Sequence, residues 1–141
     1  MPYIDTSVIG SYYCLESTSP AVNRAFQTIQ QVTISPLVEL EFLSLLALKV
    51  RTGILTQPAA LSALGQFQVH QSSGLYGFVE IGPREFDVAR NWLLGFSTAL
   101  RTLDALHLAT AFSNQQTLWT TDKALARAAG QLRIDHQLIT P

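Results

Sequence analysis

Very little charge, one cysteine and no long apolar run are the first facts of this 141-residue sequence. Cys14 stands alone, so no internal disulfide can form, as suits a reducing compartment. Only 13% of residues are charged, and the formal net charge is −1. No basic excess marks the chain as a whole for nucleic acid or for an anionic membrane; any such surface must be local or built by assembly. The longest apolar stretch, around Phe42 to Val50, contains Ser44 and Lys49 and is too short to span a bilayer. The opening "MPYID" has neither the charged nor the apolar region of a signal peptide, so a cytoplasmic domain is expected. Catalytic signatures are missing too. There is no GxxxxGK[ST] loop, no GxGxxG after a strand and no GxSxG elbow, and His70, His107 and His136 are too scattered for a zinc site.

What is present is 48% hydrophobic residues, arranged as short strand-like segments between longer helical ones. The length fits one domain, 1–141, with no repeat or linker. Strands are predicted at 2–5, 31–35, 77–82, 117–122 and 134–140. Helices are predicted over roughly 7–15, from Ser19-Pro20, from Pro36 to about Arg51, from Gln57-Pro58 fading in "HQSSG", from Pro83, from a Thr102 cap to near Asn114, and from after Asp122 to Gly130. Thr6 or Ser7 is the expected cap of the first helix. Strands separated by helices imply an α/β fold: a mainly parallel sheet covered on both faces.

In such sheets, chemistry gathers beyond the carboxyl ends of the strands. Asp5 closes the first predicted strand and Asp122 the fourth, so both belong at that edge. Asp104 interrupts "RTLDALHLATAFS", otherwise an apolar helix, and its first-turn position joins the same edge if the preceding connection returns there. Each acid alone is explained by helix capping or the helix dipole. Three together, in a chain with ten acids, repel one another, and a hard divalent cation with oxygen ligands, Mg²⁺ or Mn²⁺, would offset that.

The segments "YIDTSVIGSYY", "LRTLDALHLATAF" and "LWTTDKALARAAG", in that order along nearly the whole chain, resemble the PIN domain family, and within it the VapC-type toxins. That resemblance implies a three-layer α/β/α sandwich that binds Mg²⁺ or Mn²⁺ through acidic residues and cuts RNA. It makes Asp5, Asp104 and Asp122 the family's first, third and fourth acids. The second is a glutamate on the helix after the second strand, where the sequence offers Glu39 and Glu41. Two positions on a helix differ by about 200°, so only one of them can face a given site, and apolar periodicity does not choose between them. The family spacing, six residues past the serine ending the strand, selects Glu41 from Ser35.

The implied mechanism is phosphodiester hydrolysis by a metal-activated water, with Asp5 and Asp104 holding the ion and Asp122 or Glu41 joining directly or through water. Thr6, Ser7 and Thr121 are candidate supports for these carboxylates. His107, three residues after Asp104 on the same helical face, is expected to brace the site as a buried, hydrogen-bonded residue. Arg101, Lys123 and Arg127 flank the edge and could meet phosphates. Tyr12, Tyr13 and Trp119 are candidate base-stacking residues, with core packing the default for Trp119. The helix from Leu37 to Val50 is apolar on too many sides for one contact. Another helix of the domain could cover its far side, and the resemblance supplies two further covers: a second copy in a homodimer, or a VapB-like antitoxin. Two other functions stay open. A non-catalytic binding module on the same fold is one. A phosphatase of the haloacid-dehalogenase type is the other, and it lacks its second acid because Ser7 stands there.

Overall fold

In the computed structural model, which describes residues 1–141, twelve elements alternate along the chain. They are β1 (Tyr3–Ile4), α1 (Thr6–Tyr13), α2 (Ser19–Phe26), β2 (Val32–Ile34), α3 (Pro36–Arg51), α4 (Gln57–Ser72), β3 (Tyr76–Phe78), α5 (Pro83–Leu94), α6 (Thr102–Ser113), β4 (Leu118–Thr120), α7 (Lys123–Gln131) and β5 (His136–Leu138). The strands pair in the order β3-β2-β1-β4-β5, every neighbour parallel, with Tyr3 opposite both Thr33 and Leu118. From β1 the chain winds outward to β2 and β3, then returns to β4 on the other side and ends at β5. Right-handed crossovers therefore put α1 to α4 on one face and α5 to α7 on the other. The packing agrees: α1 lies against α2, α3 and α4, and α5 lies against α6. The result is a three-layer α/β/α sandwich.

Because β1, β2 and β4 are covered on both faces, all their residues are buried. Alternation divides them between the layers. Tyr3 reaches α6 through His107, while Tyr76, in register with Val32, meets Phe67 at a ring separation of 5.3 Å. Phe67 in turn packs on Phe42 of α3.

Local chemistry sets the helix starts. Asp5, rather than Thr6 or Ser7, caps α1, accepting from the Val8 N–H at 3.2 Å. Arg101 occupies the cap position of α6, and Thr102 is its first helical residue. Prolines open α3 and α5. The strands are shorter than their apolar segments. The predicted 77–82 strand contracts to Tyr76–Phe78 because the chain must then cross to the opposite layer, and 134–140 contracts to His136–Leu138. Conversely, α4 continues through "HQS" to Ser72 before Gly74, at φ +83°, turns the chain. Thr56 caps α4 by accepting from the Ala59 N–H at 3.2 Å. Thr56→Ala should therefore cost about 1 kcal/mol in urea unfolding while leaving the distant acidic edge unchanged.

Two features position the functional edge. α5 and α6 form an antiparallel hairpin: the Arg84 side chain donates to the Ser113 carbonyl at one end, and Leu93, Leu94 and Thr102 line one groove at the other. The connection thus returns α6, and Asp104 with it, to the carboxyl edge of the sheet. On the opposite layer, α3 buries Val38, Phe42 and Leu46 but leaves Leu40 65% exposed, with Leu43 and Leu48 also open. The far side that the sequence marks for burial is only partly covered by α1 and α4.

Candidate active site

Asp5 follows β1 directly and Asp122 lies two residues past β4. These adjacent parallel strands flank the point where the strand order reverses, the position at which open α/β sheets form a crevice. A cleft of about 700 Å³ opens there, lined among others by Glu41, Arg101, Thr102, Asp104 and Asp122. Asp5, only 3% exposed, is not part of the lining but lies within electrostatic reach of Asp104.

The four acids differ in their surroundings. Asp5 Oδ1 accepts from Ser7 Oγ at 2.5 Å and from the Val8 N–H, and Oδ2 accepts from Thr120 Oγ1 at 2.5 Å. Burial pushes its carboxyl above the ordinary value, against these hydrogen bonds and the charge of His107. Glu41 Oε1 accepts from Thr6 Oγ1 at 2.8 Å and from His107 Nε2. Burial alone would raise this carboxyl, but the His107 hydrogen bond and charge, with Thr6, hold it below the ordinary range. Asp122 Oδ1 caps α7, accepting from the N–H groups of Ala124 and Leu125 at 2.8 and 3.2 Å. Asp104 is half-buried, and no hydrogen bond contributes to its ionisation. Burial and then the charge of Asp122 raise its carboxyl, His107 opposes, and Asp5 and Glu41 add to the rise.

The structure separates the two glutamates. Glu41 faces the cleft, whereas Glu39 accepts from Gln71 Nε2 of α4 at 3.3 Å. His107 is 2% exposed, held between Tyr3 and Glu41. Ser7 Oγ also accepts the Thr121 backbone N–H at 2.9 Å, so Thr121 enters through its main chain, and the hydroxyl on Asp5 belongs to Thr120. Arg101, Lys123 and Arg127 are exposed around the cleft, Arg127 beside Ser97 and Thr98 in an adjoining recess. The aromatic candidates are engaged in packing: Trp119 is buried, Tyr12 stacks on Phe26 at 4.3 Å, and Tyr13 hydrogen-bonds Tyr76 and His70.

No three His, Cys, Asp or Glu side chains stand close enough to form a ready-made coordination cluster. Three of the four acids are turned onto hydroxyl, imidazole or backbone donors. Yet no lysine or arginine pairs with any of the four, and the ionisation of Asp104 is opposed by the other three. Apart from the His107 contact on Glu41, these acids have no cationic partner, and an oxygen donor set of this charge fits a hard divalent cation. Sequence reasoning passed over Tyr3, Ser35 and Thr120. Alternation in "YID" does place Tyr3 on the same face as Asp5, and that was the available signal.

The family model described as the PIN domain matches residues 3–131. No curated protein matches the chain in sequence. Among solved structures, VapC20 of Mycobacterium tuberculosis, described as a sarcin-ricin loop cleaving toxin, is similar with a TM-score of 0.68 at 16% identity, over 91% of this chain and 95% of that one. VapBC2 of Rickettsia felis, bound to promoter DNA, gives 0.73 at 13% identity over 99% and 100%. FitAcB of Neisseria gonorrhoeae gives 0.69 at 16% identity over 96% of each. At these identities the likeness is one of fold.

Proposed function

Because the chain belongs to the PIN domain family, we propose that it is a divalent-metal-dependent endoribonuclease, the toxin of a VapBC-type toxin–antitoxin pair. The observation that carries this proposal is Asp104. It is a half-buried carboxylate in a cleft, without a protein hydrogen bond, and three other acids oppose its ionisation. Asp5, Asp104 and Asp122 are the residues that would hold Mg²⁺ or Mn²⁺. The bound ion would supply Lewis acidity at the scissile phosphate and a lowered pKa for the attacking water.

The chain's own groups do the rest. Ser7, Thr120 and the Val8 N–H fix both Asp5 oxygens, so that carboxylate is rigid. Glu41 is held ionised with Oε1 occupied, leaving Oε2 as the acceptor available to orient a water or take its proton. Exposed Arg101, Lys123 and Arg127 would meet flanking phosphates. With a net charge of −1, these local cations carry the attraction to RNA, and a homodimer joining two such edges would strengthen it. Two uncovered apolar surfaces suit partners. Leu40, Leu43 and Leu61 lie on α3 and α4, and Phe86, Leu94 and Phe96 lie on the α5–α6 hairpin. A VapB-like antitoxin and a second copy are the proposed occupants, in the cytoplasm. No helix is long and apolar enough to cross a membrane.

The absence of a preassembled ligand cluster favours one rival, a PIN-fold module that binds RNA or protein without turnover. Incubating the purified protein with a mixed RNA pool, with and without Mg²⁺, separates the two. We expect Mg²⁺-dependent fragments lacking 2′,3′-cyclic phosphates, as attack by water requires. Cyclic ends would indicate attack by the RNA's own 2′-hydroxyl, and intact RNA under all metal conditions would leave the binding module.

A further inference from the structure

Tyr3 and His107 are not among the four acids, yet they form a buried hydrogen-bond chain that ends on one of them. Ser35 Oγ lies 2.8 Å from the Tyr3 hydroxyl, which lies 2.8 Å from His107 Nδ1. His107 Nε2 then meets Glu41 Oε1, which also accepts from Thr6 Oγ1. Tyr3 and Ser35 are fully buried and His107 nearly so. The chain crosses the sheet edge from the end of β2, through β1 and α6, to α3.

Donor and acceptor chemistry fixes the Glu41 end of this chain. An ionised carboxylate only accepts, so His107 Nε2 carries the hydrogen. The Tyr3 hydroxyl donates to Nδ1 where the imidazole is neutral and accepts from it where the imidazole is charged, and in both cases it holds the ring from the side opposite Glu41. Every buried polar atom along the path is satisfied, and the second oxygen of Glu41, a residue lining the cleft, is left without a protein partner.

We propose that Tyr3 and His107 are positioning residues for Glu41. Tyr3 holds the imidazole at Nδ1, and the imidazole pins Oε1 so that Oε2 is presented to the reacting phosphate. A three-torsion side chain on a half-exposed helix face would otherwise sample several rotamers; two hydrogen bonds to Oε1 select one. The proposal rests on the ribonuclease assignment and adds to it a Ser35–Tyr3–His107 chain behind the acid.

Tyr3→Phe tests it, because the ring and its packing stay while His107 Nδ1 loses its hydrogen-bond partner. Imidazole ¹⁵N shifts should show the Nδ1 resonance moving in Tyr3→Phe as its partner is lost, with Nε2 still carrying hydrogen in both proteins. RNA cleavage should fall about 10- to 100-fold in kcat with KM within about twofold, the scale of losing an outer support of a site. In a Glu41→Gln background the same substitution should change kcat no further. Ser35→Ala, a smaller perturbation that spares the core, should move both readouts in the same direction by less. Unchanged imidazole ¹⁵N shifts, or a lower melting temperature with unchanged kcat, would reduce the chain to a stabilising core network and overturn the proposal. If the wild type cleaves no RNA, the ribonuclease assignment fails, while the ¹⁵N comparison still decides whether Tyr3 holds His107.

Discussion

Asp5→Asn is expected to leave a folded protein that hydrolyses RNA at least about a thousandfold more slowly, the upper range for removing one preorganised electrostatic group. The fold should survive because the amide oxygen still accepts from Ser7 and the Val8 N–H. The new NH₂ meets Thr120 Oγ1, which also receives the Asp122 N–H at 3.0 Å and lies 3.3 Å from Ser7 Oγ, so its hydroxyl can reorient. Burial already disfavours the charge on Asp5, so its loss does not weaken the core. The rate should collapse because Asp5 stands behind the cleft between β1 and β4, where an amide offers a cation no net charge. Melting curves in EDTA check the fold, and initial rates on one RNA check the chemistry.

Asp104→Asn is expected to do two opposite things: stabilise the protein in EDTA and weaken Mn²⁺ binding by at least about tenfold. Asp122, Asp5 and Glu41 all oppose the Asp104 charge, so removing it relieves repulsion when no cation is present. The pH dependence follows from the sign of each shift. Asp104 and Asp5 have carboxyls raised above their ordinary value of 3.8, so the native state binds more protons than the unfolded chain in the window just above 3.8. Their stabilisation is complete below that value and is lost as pH rises through the folded pKa. Glu41 is lowered from 4.5, and its contribution is present above 4.5 and lost as pH falls through its folded pKa. On acidification in EDTA, stability should therefore first rise and then fall, and Asp104→Asn should flatten the rise. Thermal melts from pH 7 to pH 3 and calorimetric Mn²⁺ titrations measure both effects. Unchanged Mn²⁺ affinity would return Asp104 to a helix-dipole role.

The layer order was legible because apolar segments of two periods alternate along the chain, and alternation with buried strands leaves few topologies. Asp5 and Asp122 were legible as acids ending strands. Asp104 was legible because a carboxylate amid "LRTLDALHLA" has few bland neighbours. The choice of Glu41 over Glu39 was not, since α3 is apolar on most faces; it needed the family spacing, and in the structure it is His107 and Thr6 that meet Glu41 while Gln71 meets Glu39. The path from Ser35 through Tyr3 to His107 could not be read at all, because it joins residues 32 and 104 positions apart through side-chain direction. Nor could the stacking candidates be ruled in or out: partners such as Phe26 and Tyr76, distant in sequence, take up Tyr12 and Tyr13.

The most direct test of the four acids as a metal-dependent catalytic centre is the rate of RNA cleavage across a Mg²⁺ series. Wild type and Asp5→Asn, purified identically, are compared, each series beginning in EDTA. The account predicts no cleavage in EDTA, saturable activation of the wild type by Mg²⁺, and at least about a thousandfold lower rate for Asp5→Asn at every concentration. Equal rates in the two proteins, or wild-type cleavage that persists in EDTA, would contradict it.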